Sequence, residues 1–143
     1  MTGTTRIETA ARGGGLAEKL RACLEGWSRR TGITVETWAL PPGDVPPAAR
    51  AVLAGLRESL AMAERRGGVA VVAVAVTAGA GGLRMTVSDD GPGLPEEAAG
   101  TGGRAMRAAF AAAGGTVAVH GVPGEGTTVT GVVRWSGRPG PGR

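Results

Sequence analysis

Residues 88–106, SDDGPGLPEEAAGTGGRAM, decide the fold, because they contain two glycine-rich segments within one short stretch. The first segment is DDGPG at 89–93, and the second is GTGGRA at 100–105. Glycine has no side chain, so segments of this kind let the backbone come close to a ligand, often a phosphate group. The stretch therefore predicts a nucleotide-binding fold.

The second segment formally matches the dinucleotide fingerprint G-x-G-x-x-A, but its surroundings do not fit that fold. The fingerprint directly follows a strand, and an acidic residue lies about twenty positions later. Here PEEAA at 95–99 precedes the segment, and the acidic residue nearest that distance is Glu125, in a predicted loop. A Walker A loop is excluded because the single lysine, Lys19, is not in a G-x-x-x-x-G-K context.

Composition indicates one globular domain that neither binds nucleic acid nor contains a membrane-spanning segment. The chain has 143 residues, 42% hydrophobic and only 3% aromatic, with a net charge of +4. Its arginines are scattered and have no interleaved aromatic residues, so we expect no nucleic-acid partner. The longest apolar stretch, 69–76, is too short to cross a bilayer, and the N-terminus lacks an apolar signal region. The single cysteine, Cys23, excludes an internal disulfide and is typical of a cytoplasmic protein.

Hydrophobic periodicity and turn residues predict alternating helices and strands. The predicted elements are a helix from 16 to about 32, a strand at 33–37, a helix from 46 to about 66, a hairpin of strands at 69–76 and 83–87, a loop at 91–102, a helix to 113, and strands at 116–120 and 127–135. Hairpins outnumber crossovers, so we expect an α/β two-layer sandwich. Its sheet should be mixed, mostly antiparallel, with about five strands and three helices on one face. Residues 1–15 are expected to form a flexible leader and 136–143 a disordered tail around a domain at 16–135.

Four segments, in this order, resemble motifs of the GHKL ATPase superfamily. They are RTGITV at 30–35, similar to a T-G-I segment; VSDDGPG at 87–93, similar to the D-x-G-x-G box; GTGGRAMR at 100–107, similar to the second glycine box; and PGEGTTV at 123–129, similar to the G-x-G-T segment. The second glycine box looks closest to that of nitrate-sensor-type sensor histidine kinases. The resemblance covers residues 16–135 and implies a histidine-kinase-like ATPase fold with ATP or ADP as ligand.

The chemistry of these residues suits an adenine nucleotide. Asp89, at a strand end, can accept hydrogen bonds from the exocyclic amino group of adenine. Gly91 and Gly93 let the base approach the backbone. Thr127 can support the same contact through its hydroxyl group or a water molecule.

The second glycine segment is expected to act at the phosphates. Gly100, Gly102 and Gly103 would form a flexible lid, and the helix after them presents free N–H groups to anionic oxygens. Gly103 stands where the family has leucine, and Ala105 where it has glycine.

The helix before the hairpin departs from the family at one decisive position. Sensor kinases read approximately Q-E-A-L-T-N-A-L-R-H-A there, and this chain has RESLAMAERRG at 57–67. Glu58 matches the acidic residue and Arg65 the basic residue that faces phosphate, but Met62 replaces the magnesium-binding asparagine. A thioether is a poor ligand for Mg²⁺, which prefers oxygen. Glu58 could supply an oxygen instead, so Mg²⁺ binding is left open, with weakened Mg-ATP chemistry favoured.

Three functions remain open from the sequence. The favoured one is a degenerate ATP-binding module, regulatory or partner-binding, with weak or no turnover. The alternative is an active ATP-dependent histidine kinase catalytic domain of a two-component system; an anti-sigma-factor kinase ranks below both. The only histidine, His120, lies in a predicted strand, so we expect a protein partner: a separate dimerisation and phosphoacceptor domain or a response-regulator-type protein.

Overall fold

The computed structural model describes residues 15–41, 46–93 and 103–134. The predicted leader (apart from Gly15), the tail at 136–143, and the lid residues Gly100 and Gly102 lie outside these ranges.

Three helices and five strands follow one another in the predicted order. They are α1 (Leu16–Thr31), β1 (Thr34–Ala39), α2 (Pro46–Arg66), β2 (Val71–Gly79), β3 (Gly82–Asp89), α3 (Arg104–Ala112), β4 (Gly115–Val122) and β5 (Gly126–Arg134). Within the described ranges, no helix is both long and apolar enough to span a bilayer.

The strands form one mixed sheet in the spatial order β1-β2-β3-β5-β4. β1 pairs parallel with β2, and the other neighbouring strands pair antiparallel. All three helices contribute to a single core together with the inward side chains of the sheet. The predicted two-layer sandwich with a mostly antiparallel sheet and three helices is therefore confirmed.

The hairpin differs from the prediction in where its buried face begins. The sequence predicts that the strand begins at Val69, but β2 starts at Val71, and neither of these two valines is fully buried. The buried positions are Val72, Val74 and Val76, each fully covered. Side chains two residues apart share a face of a strand, so the run of valines allowed either register, and packing against the helices selected this one.

Small residues make room for the only phenylalanine of the chain. Phe110 of α3 is completely buried. A Cβ atom at Gly55 of α2 would lie 2.8 Å from its ring, and one at Gly131 of β5 would lie 2.5 Å from it. The ring of this α3 residue therefore packs closely against both α2 and β5.

The C-terminus of α2 is held in place from two sides. Glu64 accepts hydrogen bonds from Trp27 Nε1 at 3.2 Å and from Arg30 Nη1 at 2.9 Å, both on α1. The helix then ends at Gly67 and Gly68, which have φ angles of +75° and +74°. This left-handed backbone suits glycine, and it stops the helix beside the end of β3.

Candidate nucleotide-binding site

The ends of β3 and β5 bring two of the predicted site residues together. Asp89 is the last residue of β3 and lies directly opposite Thr127 of β5 in the antiparallel register. Residues in such a pair point to the same face of a sheet, with Cβ atoms about 5 Å apart. Thr127 is only 3% exposed. The Asp89 carboxylate and the Thr127 hydroxyl group therefore form a buried polar cluster, the Asp89 cluster, at the edge of the helical layer.

The loop after Asp89 is shaped by close contacts that exclude larger side chains. The Asp89 carboxylate accepts a hydrogen bond from the Gly91 N–H, with 2.9 Å between Oδ1 and N. A Cβ atom at Gly91 would lie 2.7 Å from Val69 Cγ2. Gly93 has a φ angle of +83°, and its Cβ would lie 2.4 Å from the carbonyl oxygen of Val122. Both positions thus require glycine for packing, whether or not a ligand is bound.

The first glycine loop and the β4–β5 turn form a single unit. The Gly124 N–H donates a hydrogen bond to the carbonyl oxygen of Pro92 at 2.8 Å. Gly126, with a φ angle of +115°, packs so closely that a Cβ atom there would lie 2.0 Å from the carbonyl oxygen of Asp89. Two segments that are far apart in the sequence are therefore adjacent beside the candidate site.

One face of α2 extends the Asp89 cluster towards α3. Residues 58, 62 and 66 are spaced by four, so they lie on the same side of the helix. Glu58 is half-buried, whereas Met62 is 6% exposed. The Met62 sulfur lies 4.0 Å from the position of a Cβ atom on Gly103, the residue before α3. The thioether therefore lies where α2 meets the start of α3.

Arg66 is a further member of this cluster and is not among the residues predicted from the sequence. Its Nη2 donates to Asp89 Oδ2, and the two side chains are only 11% and 8% exposed. The sequence predicts the neighbouring Arg65 as the phosphate-facing residue, and its side chain is exposed. The four-residue spacing of Glu58, Met62 and Arg66 could have identified Arg66, since it puts all three on one helical face.

Two buried polar atoms in this cluster lack a hydrogen-bond partner. They are Arg66 Nε and Thr127 Oγ1, and no other buried side-chain nitrogen or oxygen in the described ranges is unpaired. Leaving such an atom unpaired costs free energy, so each one needs an explanation. A separate groove of about 440 Å³ between α1 and β1 has neither atom in its lining. The unpaired atoms therefore favour the Asp89 cluster as the ligand site.

Metal-ligating side chains are not concentrated anywhere in the part of the chain that the structure describes. No three His, Cys, Asp or Glu residues there lie close enough to hold a metal ion. On the α2 face, the thioether of Met62 is a poor ligand for a hard cation. Of Glu58 and Met62 on this face, only Glu58 could therefore offer an oxygen to Mg²⁺.

Asp90 has a structural role beside the candidate site. Its Oδ1 accepts hydrogen bonds from the N–H groups of Ala70 and Val71, at 2.9 and 3.0 Å. These two donors, led by Val71, hold the pKa of the Asp90 carboxyl below its usual range, because they stabilise the charged form. The exposed carboxylate thereby fastens the start of β2 to the loop that follows β3.

Acid should weaken this attachment. Because the pKa of Asp90 is depressed in the folded state, its contribution to stability is present above the unfolded pKa, near 4, and is lost as pH falls through the folded value. Between pH 5 and pH 2.5, the free energy of unfolding should fall more steeply for the wild type than for Asp90→Asn, which cannot titrate. Denaturant titrations at each pH measure this, and parallel pH profiles would contradict the assignment.

Similarity of this chain to known proteins is found in structure and not in sequence alone. No protein-family model matches the sequence, and a search of curated proteins finds no match. The histidine kinase domain of the blue-light activated histidine kinase from Erythrobacter litoralis EL346 is 25% identical, with a TM-score of 0.67, over 83% of this chain and 60% of that one. A second structure of that kinase is 27% identical, with a TM-score of 0.68, over 87% of this chain and 43% of that one.

The structure of full-length ShkA in complex with AMPPNP shares the fold. It is 21% identical, with a TM-score of 0.61, and the match covers 82% of this chain and 29% of that one. The chain therefore spans less than two thirds of each of these three structures. Because the helices, the strand order and the domain matches agree, the chain is a histidine-kinase-like ATPase domain of the GHKL type.

Proposed function

We propose that the chain is a degenerate histidine-kinase-like module that binds an adenine nucleotide at Asp89 and turns it over slowly or not at all. The observation that carries this proposal is Met62, whose buried thioether lies on the face of α2 that leads from Asp89 to the start of α3. Its role would be regulatory or partner-binding, and we place it in the cytoplasm.

The base would bind at the strand ends. Asp89 has two lone-pair positions left after the hydrogen bonds from Gly91 and Arg66, so it can accept from the amino group of adenine. Thr127 Oγ1 is buried without a partner on the same face. Since the nucleotide analogue AMPPNP is bound in the ShkA complex, the shared fold supports, for this chain, a nucleotide at the corresponding place.

Phosphate binding would fall to α3 and its flanking residues. The first N–H groups of a helix have no partner within the helix, and they attract anions. Gly103 and the start of α3 lie beside Met62, in reach of the same face of α2. We assign Gly100, Gly102 and the exposed Arg65 to the phosphates as well, on the sequence resemblance.

Turnover would be slow because the protein lacks a strong oxygen ligand for Mg²⁺ on this face. Protein kinases hold magnesium through carboxylate and amide oxygens, and the metal neutralises charge on the transferring phosphoryl group. The chain contains no asparagine or glutamine, so no alignment of the helix restores an amide. The metal would then be held by phosphates and water, with little added stabilisation of the transition state.

A second candidate function is an active histidine kinase catalytic domain. It is favoured by Glu58, a half-buried carboxylate one helical turn before Met62 on the same face. Glu58 could then provide the missing oxygen or act as a base, and the phosphoryl group would pass to a histidine on a separate dimerisation domain. The partner in either case is a protein such as that domain or a response-regulator-type protein.

Replacing Met62 by asparagine should restore metal dependence. The substitution places an amide oxygen four residues after Glu58, at a position that already faces Gly103. With Mg²⁺ present, ATP should bind about tenfold more tightly to Met62→Asn than with a chelator, the lower end of what supporting residues contribute to metal sites. Isothermal titration in the two buffers measures this ratio.

Met62→Leu is the matched control, since it keeps an apolar side chain of similar volume and supplies no oxygen. It should bind ATP like the wild type in both buffers. Turnover should be measured in parallel, with and without a supplied helical hairpin that carries a phosphoacceptor histidine. Brisk, strictly Mg²⁺-dependent hydrolysis or transfer by the wild type would favour the active kinase instead.

A further inference from the structure

We propose that Arg66 reads the base in this pocket: while paired with Asp89, it donates its Nε–H to a ring nitrogen of adenine beside the amino group. This inference rests on the proposed nucleotide site and adds a residue that determines its specificity. In it, Asp89 and Arg66 act as one acceptor–donor unit.

Arg66 has an unpaired, buried hydrogen-bond donor. Arg66 uses Nη2 for Asp89, and its Nε is buried without any acceptor. A guanidinium N–H can only donate, so the missing partner must be an acceptor. Thr127 Oγ1, the other unpaired buried atom, belongs to the residue directly opposite Asp89. The cluster therefore combines an unused donor, an unused hydroxyl group and a carboxylate with free lone pairs.

Adenine offers the complementary pattern. Its amino group donates, and the two ring nitrogens that flank this group, N1 and N7, both accept. Asp89 would accept from the amino group while Arg66 Nε donates to one of the flanking nitrogens. A base with an oxygen in place of the amino group would face Asp89 with an acceptor, which a carboxylate cannot satisfy. The pair thus reads the order of donor and acceptor along one edge of the base.

Displacement of Arg66 by the nucleotide is the competing explanation. In that case the arginine would only block Asp89 in the empty protein. However, both side chains are about nine-tenths buried. Breaking a buried ion pair costs more free energy than one hydrogen bond from an amino group returns. We therefore infer that the ion pair stays intact and that the base binds to both members.

Arg66→Lys removes the donor while keeping the charge. In lysine, a methylene group occupies the position of the arginine Nε, and the ammonium group follows where it can still pair with Asp89. ATP affinity should fall roughly 10- to 100-fold, the range for a hydrogen bond from a charged donor. Arg84→Lys, an exposed arginine of β3, is the matched control and should leave affinity unchanged. Thermal unfolding of each variant checks that the fold is retained.

Nucleotide analogues identify the contact itself. ATP, 1-deaza-ATP and 7-deaza-ATP differ in whether each flanking nitrogen is present. In the wild type, one of the two analogues should bind roughly 10- to 100-fold more weakly than ATP, and in Arg66→Lys that penalty should disappear. This loss of sensitivity is not expected from a merely structural arginine, which would weaken all three nucleotides equally.

The outcomes separate this inference from the function on which it rests. If the wild type binds no adenine nucleotide, the proposed function fails and the inference with it. If the wild type binds ATP but Arg66→Lys binds it equally or more tightly, the arginine is a bystander or a competitor, and only the inference fails. Equal binding of all three nucleotides to the wild type would also overturn it.

Discussion

Asp89→Asn is expected to weaken adenine-nucleotide binding about 5- to 150-fold, which is the effect of leaving a buried donor unpaired at a cost of about 1–3 kcal/mol. The wild-type carboxylate accepts from Gly91 N on one oxygen and from Arg66 Nη2 on the other. An amide has only one oxygen, so its NH₂ group must face one of these donors. Whichever way the amide turns, fewer acceptor positions remain for the base.

The same substitution should also destabilise the protein. Arg66 would keep its charge in a site where its side chain is 11% exposed, without a counter-charge. Removing one partner of a buried ion pair typically costs about 3–5 kcal/mol. Binding is therefore measured by isothermal titration at low temperature, beside a denaturant titration of stability.

Asp90→Asn is the matched control for Asp89→Asn. The neighbouring carboxylate is exposed and holds only the backbone of Ala70 and Val71, so its loss should leave nucleotide affinity unchanged. Equal affinities for wild type and Asp89→Asn would remove Asp89 from the site.

Gly126→Ala should be among the most destabilising single substitutions in the chain. A Cβ atom there would lie 2.0 Å from the carbonyl oxygen of Asp89, which is backbone and cannot move aside alone. The φ angle of +115° also belongs to a region that only glycine adopts readily. Strain and overlap together should cost on the order of 3 kcal/mol or more, lowering the melting temperature by roughly 10 °C.

Gly124→Ala tests whether overlap, rather than backbone strain, causes this loss. Gly124 lies in the same turn with a φ angle of +81°, but a Cβ atom there would meet nothing within 4 Å. It should cost only about 1–2 kcal/mol, the strain of a left-handed residue. Calorimetry of both variants compares them, and equal melting temperatures would show that the close approach to Asp89 does not matter.

The elements of the fold could be predicted from the sequence because local signals mark them. The turn at Gly67 and Gly68, the alternation of β3 and the glycine segments all depend on residues close in the chain. The buried register of β2 could not be predicted, because valines stand on both sides of the strand. Which of these valines are buried depends on the packing of α2 and α3 against the sheet, and that packing is non-local.

The sequence indicates the strand ends of the candidate site more clearly than its residues on α2. Asp89 and Thr127 follow from their motifs, and the structure pairs them across β3 and β5. The ion pair of Arg66 with Asp89 could not be predicted, because two adjacent arginines, Arg65 and Arg66, end the helix and the sequence does not show which one faces the sheet. The two arginines differ in the direction in which they leave the helix axis. That direction selects a partner only when the position of β3 is known.

We expect this domain to bind adenine nucleotide without help from a protein-held magnesium ion. Isothermal titration of ATP into the wild type, once with Mg²⁺ and once with a chelator, measures this. We expect binding in both buffers, with dissociation constants that differ by less than about threefold, or roughly 0.7 kcal/mol. Binding that appears only with Mg²⁺, or no binding of ATP in either buffer, would show that the domain does not bind the nucleotide in this way.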